Sequence, residues 1–200
     1  MNQSVKPFRS LLLSLLLGLA LAACSGQPSA EAPLKGAAIG GPFTLTDQNG
    51  RKVTDRDFAG KYRIVYFGYS HCPDVCPTDL QQIGEALTRF EKKDPRRGAE
   101  VQPIFITVDP ERDTPEALKP WVAAFHPRLI GLTGTPDQIK TVAKEYAIFY
   151  QKGEVQPGGA YPVNHSRMAY LFGPDGAPIA LLNQEGGADA IAAELDKWVK

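Results

Sequence analysis

The hydrophobic pattern of the 200-residue chain predicts an α/β domain: a central mixed sheet flanked by helices, with a β-hairpin in front. Three observations carry this. Apolar runs of strand length alternate with amphipathic helical stretches through the middle of the chain. The Asn49-Gly50 dipeptide, a strong short hairpin signal, precedes them. Two further strand-like runs and a final amphipathic helix close the chain.

The elements follow in order. Residues 43–46 and 52–54 flank the Asp47-Gln48-Asn49-Gly50 turn as a hairpin. Residues 63–68 are β-branched and aromatic with no charge after Arg63, which suits a central strand buried on both faces. Pro77 opens a helix whose apolar stripe is Leu80, Ile83, Leu87 and Phe90. Residues 104–108 form a second buried strand. Thr114 caps the next helix, with Pro115 at its first position and Leu118, Trp121, Val122 and Phe125 on its apolar face. After a short strand at 129–132, Thr135-Pro136 repeats that cap ahead of Ile139, Val142 and Tyr146. Strands at 168–172 and 178–182 are joined by Gly173-Pro174-Asp175-Gly176, and a helix over 188–199 presents Ile191, Leu195 and Trp198. A βαβ start and a ββα finish define a thioredoxin-like fold with added elements in front and in the middle.

Composition is that of a globular protein, with 43% hydrophobic and 22% charged residues. Acidic and basic residues balance at 22 each, so no cationic excess is available to neutralise phosphates, and a nucleic-acid partner is excluded. Arg96 and Arg97 read as part of a solvated turn beside Asp94 and Pro95.

The front of the chain carries an export signal. Lys6 and Arg9 precede an apolar run at 11–23, shorter than the ~20 residues that span a bilayer. It ends in Leu21-Ala22-Ala23-Cys24, which resembles a bacterial lipobox, where the Cys is acylated and becomes the mature N-terminus. Residues 1–23 are therefore expected to be a lipoprotein signal peptide, with Cys24 the lipidation site. The Gly-, Pro-, Ala- and Ser-rich stretch at 24–39 reads as a flexible tether, and 40–200 as the folded domain. The expected product is an exported lipoprotein held at a membrane by its acyl chains and facing the periplasm or extracytoplasmic space.

Of three cysteines, the anchor leaves Cys72 and Cys76. They close too small a loop to act mainly as a staple, so their role is chemical. They lie in Gly68-Tyr69-Ser70-His71-Cys72-Pro73-Asp74-Val75-Cys76-Pro77, between a buried strand and a helix start, where open α/β sheets bind ligands. Helix-terminal N–H groups are expected to favour the thiolates there. Spaced four apart near a helix start, the two sulfurs can also meet as a reversible disulfide.

Two thiolates are too few for a closed structural zinc site, but with an imidazole they make a natural low-coordination copper site. Of three histidines, His71 adjoins Cys72 and is expected to point away. His126, before Pro127, reads as a surface turn residue. A lone loop histidine is ordinarily solvated or bonded within a turn. His165, however, lies in the loop feeding the late strand, which faces the Cys loop in a thioredoxin-like sheet, and it is the candidate third ligand. The block from Asp109 to Asp113 reads as a capped strand-to-helix connection, with Asp109 and Asp113 as candidates to support the site.

The run from Tyr66 to Pro77 resembles the signature of the Sco/SenC family of copper proteins, which assist cytochrome c oxidase assembly. Val108-Asp109-Pro110-Glu111-Arg112-Asp113-Thr114-Pro115 resembles a second family block, and His165 with the segment ending in Phe172-Gly173-Pro174-Asp175-Gly176 a third. The resemblance implies a copper ion held by Cys72, Cys76 and His165. It implies a non-enzymatic metallochaperone for a copper-accepting oxidase subunit, with other periplasmic copper carriers or thiol reductants as further partners. It also permits, as the alternative, a thiol–disulfide reductase that keeps the subunit's copper-binding cysteines reduced, but the Cys spacing and His165 favour metal, since a dithiol exchanger needs no third ligand. A peroxidase on the same fold is disfavoured, because no Thr or Arg environment around one Cys is evident. One departure stands out: Asn164 precedes the histidine where many members have an acidic residue.

Overall fold

The computed structural model describes residues 31–200. The expected signal peptide and Cys24 lie outside the described residues, as does most of the expected tether. The last part of that tether is not free: residues from Ala32 onward belong to the compact domain. Leu34 donates its N–H to the Ile179 carbonyl at 3.0 Å, and Leu34 and Ile39 pack against the core. Two apolar side chains in a small-residue stretch are enough to dock it, so the domain begins before residue 40.

Strands β1 (Thr44–Asp47) and β2 (Lys52–Thr54) pair antiparallel as the front hairpin. Gly50 takes φ +77° in its turn, a conformation that glycine adopts without a Cβ penalty. Next come β3 (Tyr62–Gly68), helix α1 (Val75–Lys93), short helix α2 (Pro95–Ala99) and β4 (Val101–Thr107). They are followed by α3 (Pro115–Ala123), β5 (Ile130–Thr133) and α4 (Pro136–Glu145). The hairpin strands β6 (Tyr150–Lys152) and β7 (Val163–His165) precede β8 (Ala169–Phe172), β9 (Pro178–Leu181) and α5 (Gly187–Trp198).

The main sheet has seven strands in the order β2-β1-β5-β4-β3-β8-β9. β3, β4 and β5 run parallel, and β8 joins β3 antiparallel, so the sheet is mixed and β3 is an interior strand between β4 and β8. This is the thioredoxin-like arrangement expected from the segment order. Ile64 to Phe67 are each at most 1% exposed, as a strand covered on both faces requires. α1 packs on α5, and α3 on β5. Both threonine caps form: Thr114 Oγ1 accepts the Ala117 N–H, and Thr135 makes a capping box with Gln138. Among the described residues, no helix is long and apolar enough to cross a membrane.

Arg97 and His126 differ from expectation. Arg97 is not in a solvated turn. Its guanidinium lies over the Phe90 ring, pairs with Asp94 and Asp196, and donates to the Val199 carbonyl, tying α2 to the chain's end. His126 is only 3% exposed; its Nδ1 accepts the Arg128 N–H, and its Nε2 lies 3.5 Å from Glu91. The turn before Pro127 folds inward against α1, where Gly84 leaves room for the Phe125 carbonyl.

Candidate metal centre

The carboxyl end of β3 opens into the turn carrying Cys72, whose N–H donates to the Tyr69 carbonyl at 3.2 Å. Helix α1 starts two residues earlier than its proline signal, so Cys76 sits in its first turn. Its N–H points at Cys72 Sγ at 3.5 Å. Gly68 permits this packing: a Cβ there would come within 2.8 Å of Cys76 Sγ. Cys76 is fully buried and Cys72 is 9% exposed, and both are free thiols.

The sequence expectation of a depressed thiol pKa does not hold for Cys76. Burial pushes it well above the usual thiol range, outweighing the Tyr69 N–H that favours the thiolate, and the neighbouring Cys72 adds to the rise. A helix start favours a thiolate, but burial in apolar surroundings acts the other way, and at Cys76 burial is the larger effect.

His165 is brought to this pair on β7, in a two-stranded sheet with β6 rather than in a plain loop. Its Nε2 is 3.2 Å from Cys76 Sγ. Its Nδ1 is 2.9 Å from the Ser166 carbonyl. A carbonyl only accepts, so Nδ1 carries the proton and Nε2 turns its lone pair toward the sulfurs. Burial lowers the imidazole pKa, partly offset by the Ser166 carbonyl and Asp79, which favours the neutral ring a metal needs. Tyr69 braces the ring edge-on at 5.8 Å.

One ligand atom each from Cys72, Cys76 and His165 lie within 4.8 Å of one another. Nitrogen and sulfur ligands sit roughly 2.0–2.3 Å from a first-row ion, so three around one ion stand about 3.5–4 Å apart. The cluster therefore needs only small adjustments to close on a single ion. His71 is not part of it: its side chain is 51% exposed, with Nδ1 beside Ser70 Oγ.

The two acidic candidates each hold one side of the site without reaching the sulfurs. Buried Asp113 accepts from the Ser70 N–H at 2.9 Å, Ser70 Oγ at 2.5 Å and Thr107 Oγ1 at 2.6 Å, so it pins the Cys turn to β4. Asp109 accepts from the Tyr161 hydroxyl at 2.8 Å and pairs with Arg112, so it pins the chain leading into β7. Two cations lie against the Tyr161 ring, Arg112 at 3.6 Å and Lys152 at 4.0 Å from its centroid.

Sequence reasoning missed a buried polar group beneath the thiols. Asp79 is fully buried on α1 and accepts from the Tyr66 hydroxyl at 2.9 Å. Arg167 grips it with two bonds, at 2.8 and 2.7 Å. Burial, with Cys76 and Asp79 adding, raises the Tyr66 pKa, so the phenol keeps its proton as a donor. The available signal was a carboxylate on the apolar stripe of Cys76, Leu80 and Ile83, three residues after the thiol.

A thioredoxin-like domain that converges two thiols and one imidazole at a strand-to-helix turn has the ligand set for one metal ion. The SCO1/SenC family model matches residues 31–200, and the chain belongs to that family. It is 45% identical over 171 residues to the mitochondrial SCO1 homolog 1 of Arabidopsis thaliana, covering 85% of this chain and 50% of that protein. The structure of Bradyrhizobium japonicum ScoI with copper bound matches with a TM-score of 0.73 at 42% identity, covering 80% of this chain and 99% of that one. A structure of BsSco, described as having a disulfide switch and as a member of the Sco family of cytochrome c oxidase assembly proteins, matches at 0.64 and 26% identity. It covers 86% of this chain and 99% of that one. The chain spans about half the length of the curated relatives it matches.

Proposed function

We propose that this chain is a copper carrier of cytochrome c oxidase assembly, which takes one copper ion on Cys72, Cys76 and His165 and passes it to a copper-accepting oxidase subunit. The observation that carries this is the convergence of three ligand atoms within 4.8 Å, with the His165 lone pair aimed inward. The copper-bound relative and the family's oxidase-assembly role support the choice of metal and client. Thiolates select Cu(I), and the imidazole extends binding to Cu(II). Uptake displaces the thiol protons, because the ligands must be deprotonated. Cys76 is enclosed whereas His165 is half-buried and Cys72 lies at the rim, so an acceptor's ligands approach from the Cys72 and His165 side. Closing Cys72 and Cys76 into a disulfide removes both thiolates and blocks Cu(I) uptake. In this reading Cys24 carries the acyl anchor that holds the domain at a membrane, facing the periplasm or extracytoplasmic space.

The test is deletion of the gene followed by oxidase activity with and without added copper. Activity should fall, and should return with the native chain or with excess copper. A chain carrying Cys76→Ser should not restore it. Oxidase activity indifferent to the deletion in copper-limited cells contradicts the proposal.

A further inference from the structure

Helix α1 is joined to the end of β7 and the residues just after it by two side-chain links, stacked one above the other. The upper link is Cys76 to His165, at 3.2 Å. The lower is Asp79 to Arg167. Asp79 follows Cys76 by three residues, one helical turn, on the same face. Arg167 follows His165 by two. The hydrogen bonds from Ser166 to Phe149 hold the hairpin segment to itself and do not reach α1.

The geometry points to Arg167 and Asp79 as positioning residues for the site: their ion pair holds His165 at the thiols before copper arrives, and so sets the Cu(II) affinity while leaving Cu(I) affinity largely alone. This rests on the three-ligand copper site proposed above.

A buried carboxylate in the first turns of a core helix is costly unless fully bonded, and an apolar residue there would serve stability as well or better. Asp79 is fully bonded, by Tyr66 and by both arms of a bidentate guanidinium. Registry is the best-attested use of such pairs. Here the register is that of the strand carrying the nitrogen ligand against the helix carrying a sulfur ligand. Arg167 remains 40% exposed, so the clamp closes from the solvent side over an enclosed acid. The thiols do not need it: Cys72 and Cys76 belong to one continuous turn and helix start. Cu(I) is content with two sulfurs, whereas Cu(II) needs the nitrogen.

The test compares Arg167→Gln, Arg167→Lys and Asp79→Asn with the native protein. Cu(I) and Cu(II) are each titrated against a competing chelator, and the visible thiolate-to-Cu(II) absorption is recorded. Arg167→Gln should lower Cu(II) affinity about 10–100-fold, the usual effect of losing a partner that orients a ligand, and should weaken or shift the band. Its Cu(I) affinity should change far less. Arg167→Lys should fall between, keeping the charge but not the fork. Asp79→Asn, which keeps the shape and the Tyr66 contact, gives the same reading if loss of the arginine proves too disruptive. In a His165→Ala background, Arg167→Gln should add almost nothing to the Cu(II) loss. Unchanged Cu(II) binding in folded variants overturns the inference, as does an equal loss of Cu(I) and Cu(II), or a full further loss in the His165→Ala background. If His165→Ala itself leaves Cu(II) binding intact, the three-ligand site fails instead.

Discussion

Cys72 and Cys76 rest on the core of the domain, whereas His165 rides on a two-stranded hairpin outside the main sheet. The thiols sit where β3 meets α1, with Phe67, Tyr69 and Leu80 buried around that junction. The hairpin is anchored by buried Val163 and by the partly buried rings of Tyr150 and Tyr161, and more of its hold on the domain is polar: Tyr161 to Asp109, Lys152 to Glu111 and Arg167 to Asp79. Apolar burial is non-directional and hard to disturb by one substitution, while a polar link depends on a single geometry. The sulfur half of the site is thus the fixed half, and the nitrogen half is adjustable. For the carrier proposed above this division would be an advantage, because releasing one ligand would leave the other two in place.

The largest effect should come from removing a fixed ligand. Cys76→Ser should abolish stoichiometric Cu(I) and Cu(II) binding in chelator competition, because one thiolate and one imidazole are too few soft donors. Retained equimolar Cu(I) would break the contrast between the halves.

Loosening the supports comes next, and the two acids should behave differently. Asp113→Ala strands the donors of Ser70 and Thr107, at roughly 1–3 kcal/mol for each buried donor left alone. It should lower the unfolding free energy in denaturant titrations and weaken both copper oxidation states alike, since it frees the Cys turn. Tyr161→Phe removes one hydrogen bond to Asp109, worth about 1 kcal/mol, and keeps the ring beside its two cations. Its copper effect should be a few-fold and confined to Cu(II). Equal effects on both ions from Tyr161→Phe would show that the hairpin and the thiols move as one.

The smallest effect should be found far from the metal, at His126. Burial lowers its pKa from 6.5, with Arg128 adding and Glu91 opposing. The folded state therefore binds fewer protons than the unfolded state. Stability from the neutral ring is fully present above 6.5 and is lost as the pH falls through the lowered folded value. Denaturant titrations from pH 7.5 to 5 should show this decline, and His126→Gln should make it shallower, leaving the part due to half-buried His165, without altering copper binding at neutral pH.

Much of the fold was legible because its signals are local. The Asn49-Gly50 turn, the β3 run and the Thr114 and Thr135 caps each act within a few residues, and each forms as expected. The β6–β7 hairpin was not legible: its strands are three residues each, largely exposed, and separated by a Gly- and Pro-rich loop with no period. His165 was therefore expected in a loop, although its approach to the thiols followed from topology. The buried charges were hidden for another reason. Asp79 is neutralised by Arg167, and Glu91 by Arg128 with the neutral His126 ring beside it; these partners are distant in the chain, so nothing in either segment alone marks the pairing. The docking of Leu34 and Ile39 is hidden in the same way, since two apolar residues leave no periodic pattern.

The most direct test of the account is copper titration of His165→Ala beside the native protein. The variant should fold normally and keep much of its equimolar Cu(I) on the two sulfurs. It should lose the visible thiolate-to-Cu(II) absorption and most of its Cu(II) affinity. An unchanged Cu(II) spectrum and affinity in the variant would contradict the three-ligand site and the division of labour built on it.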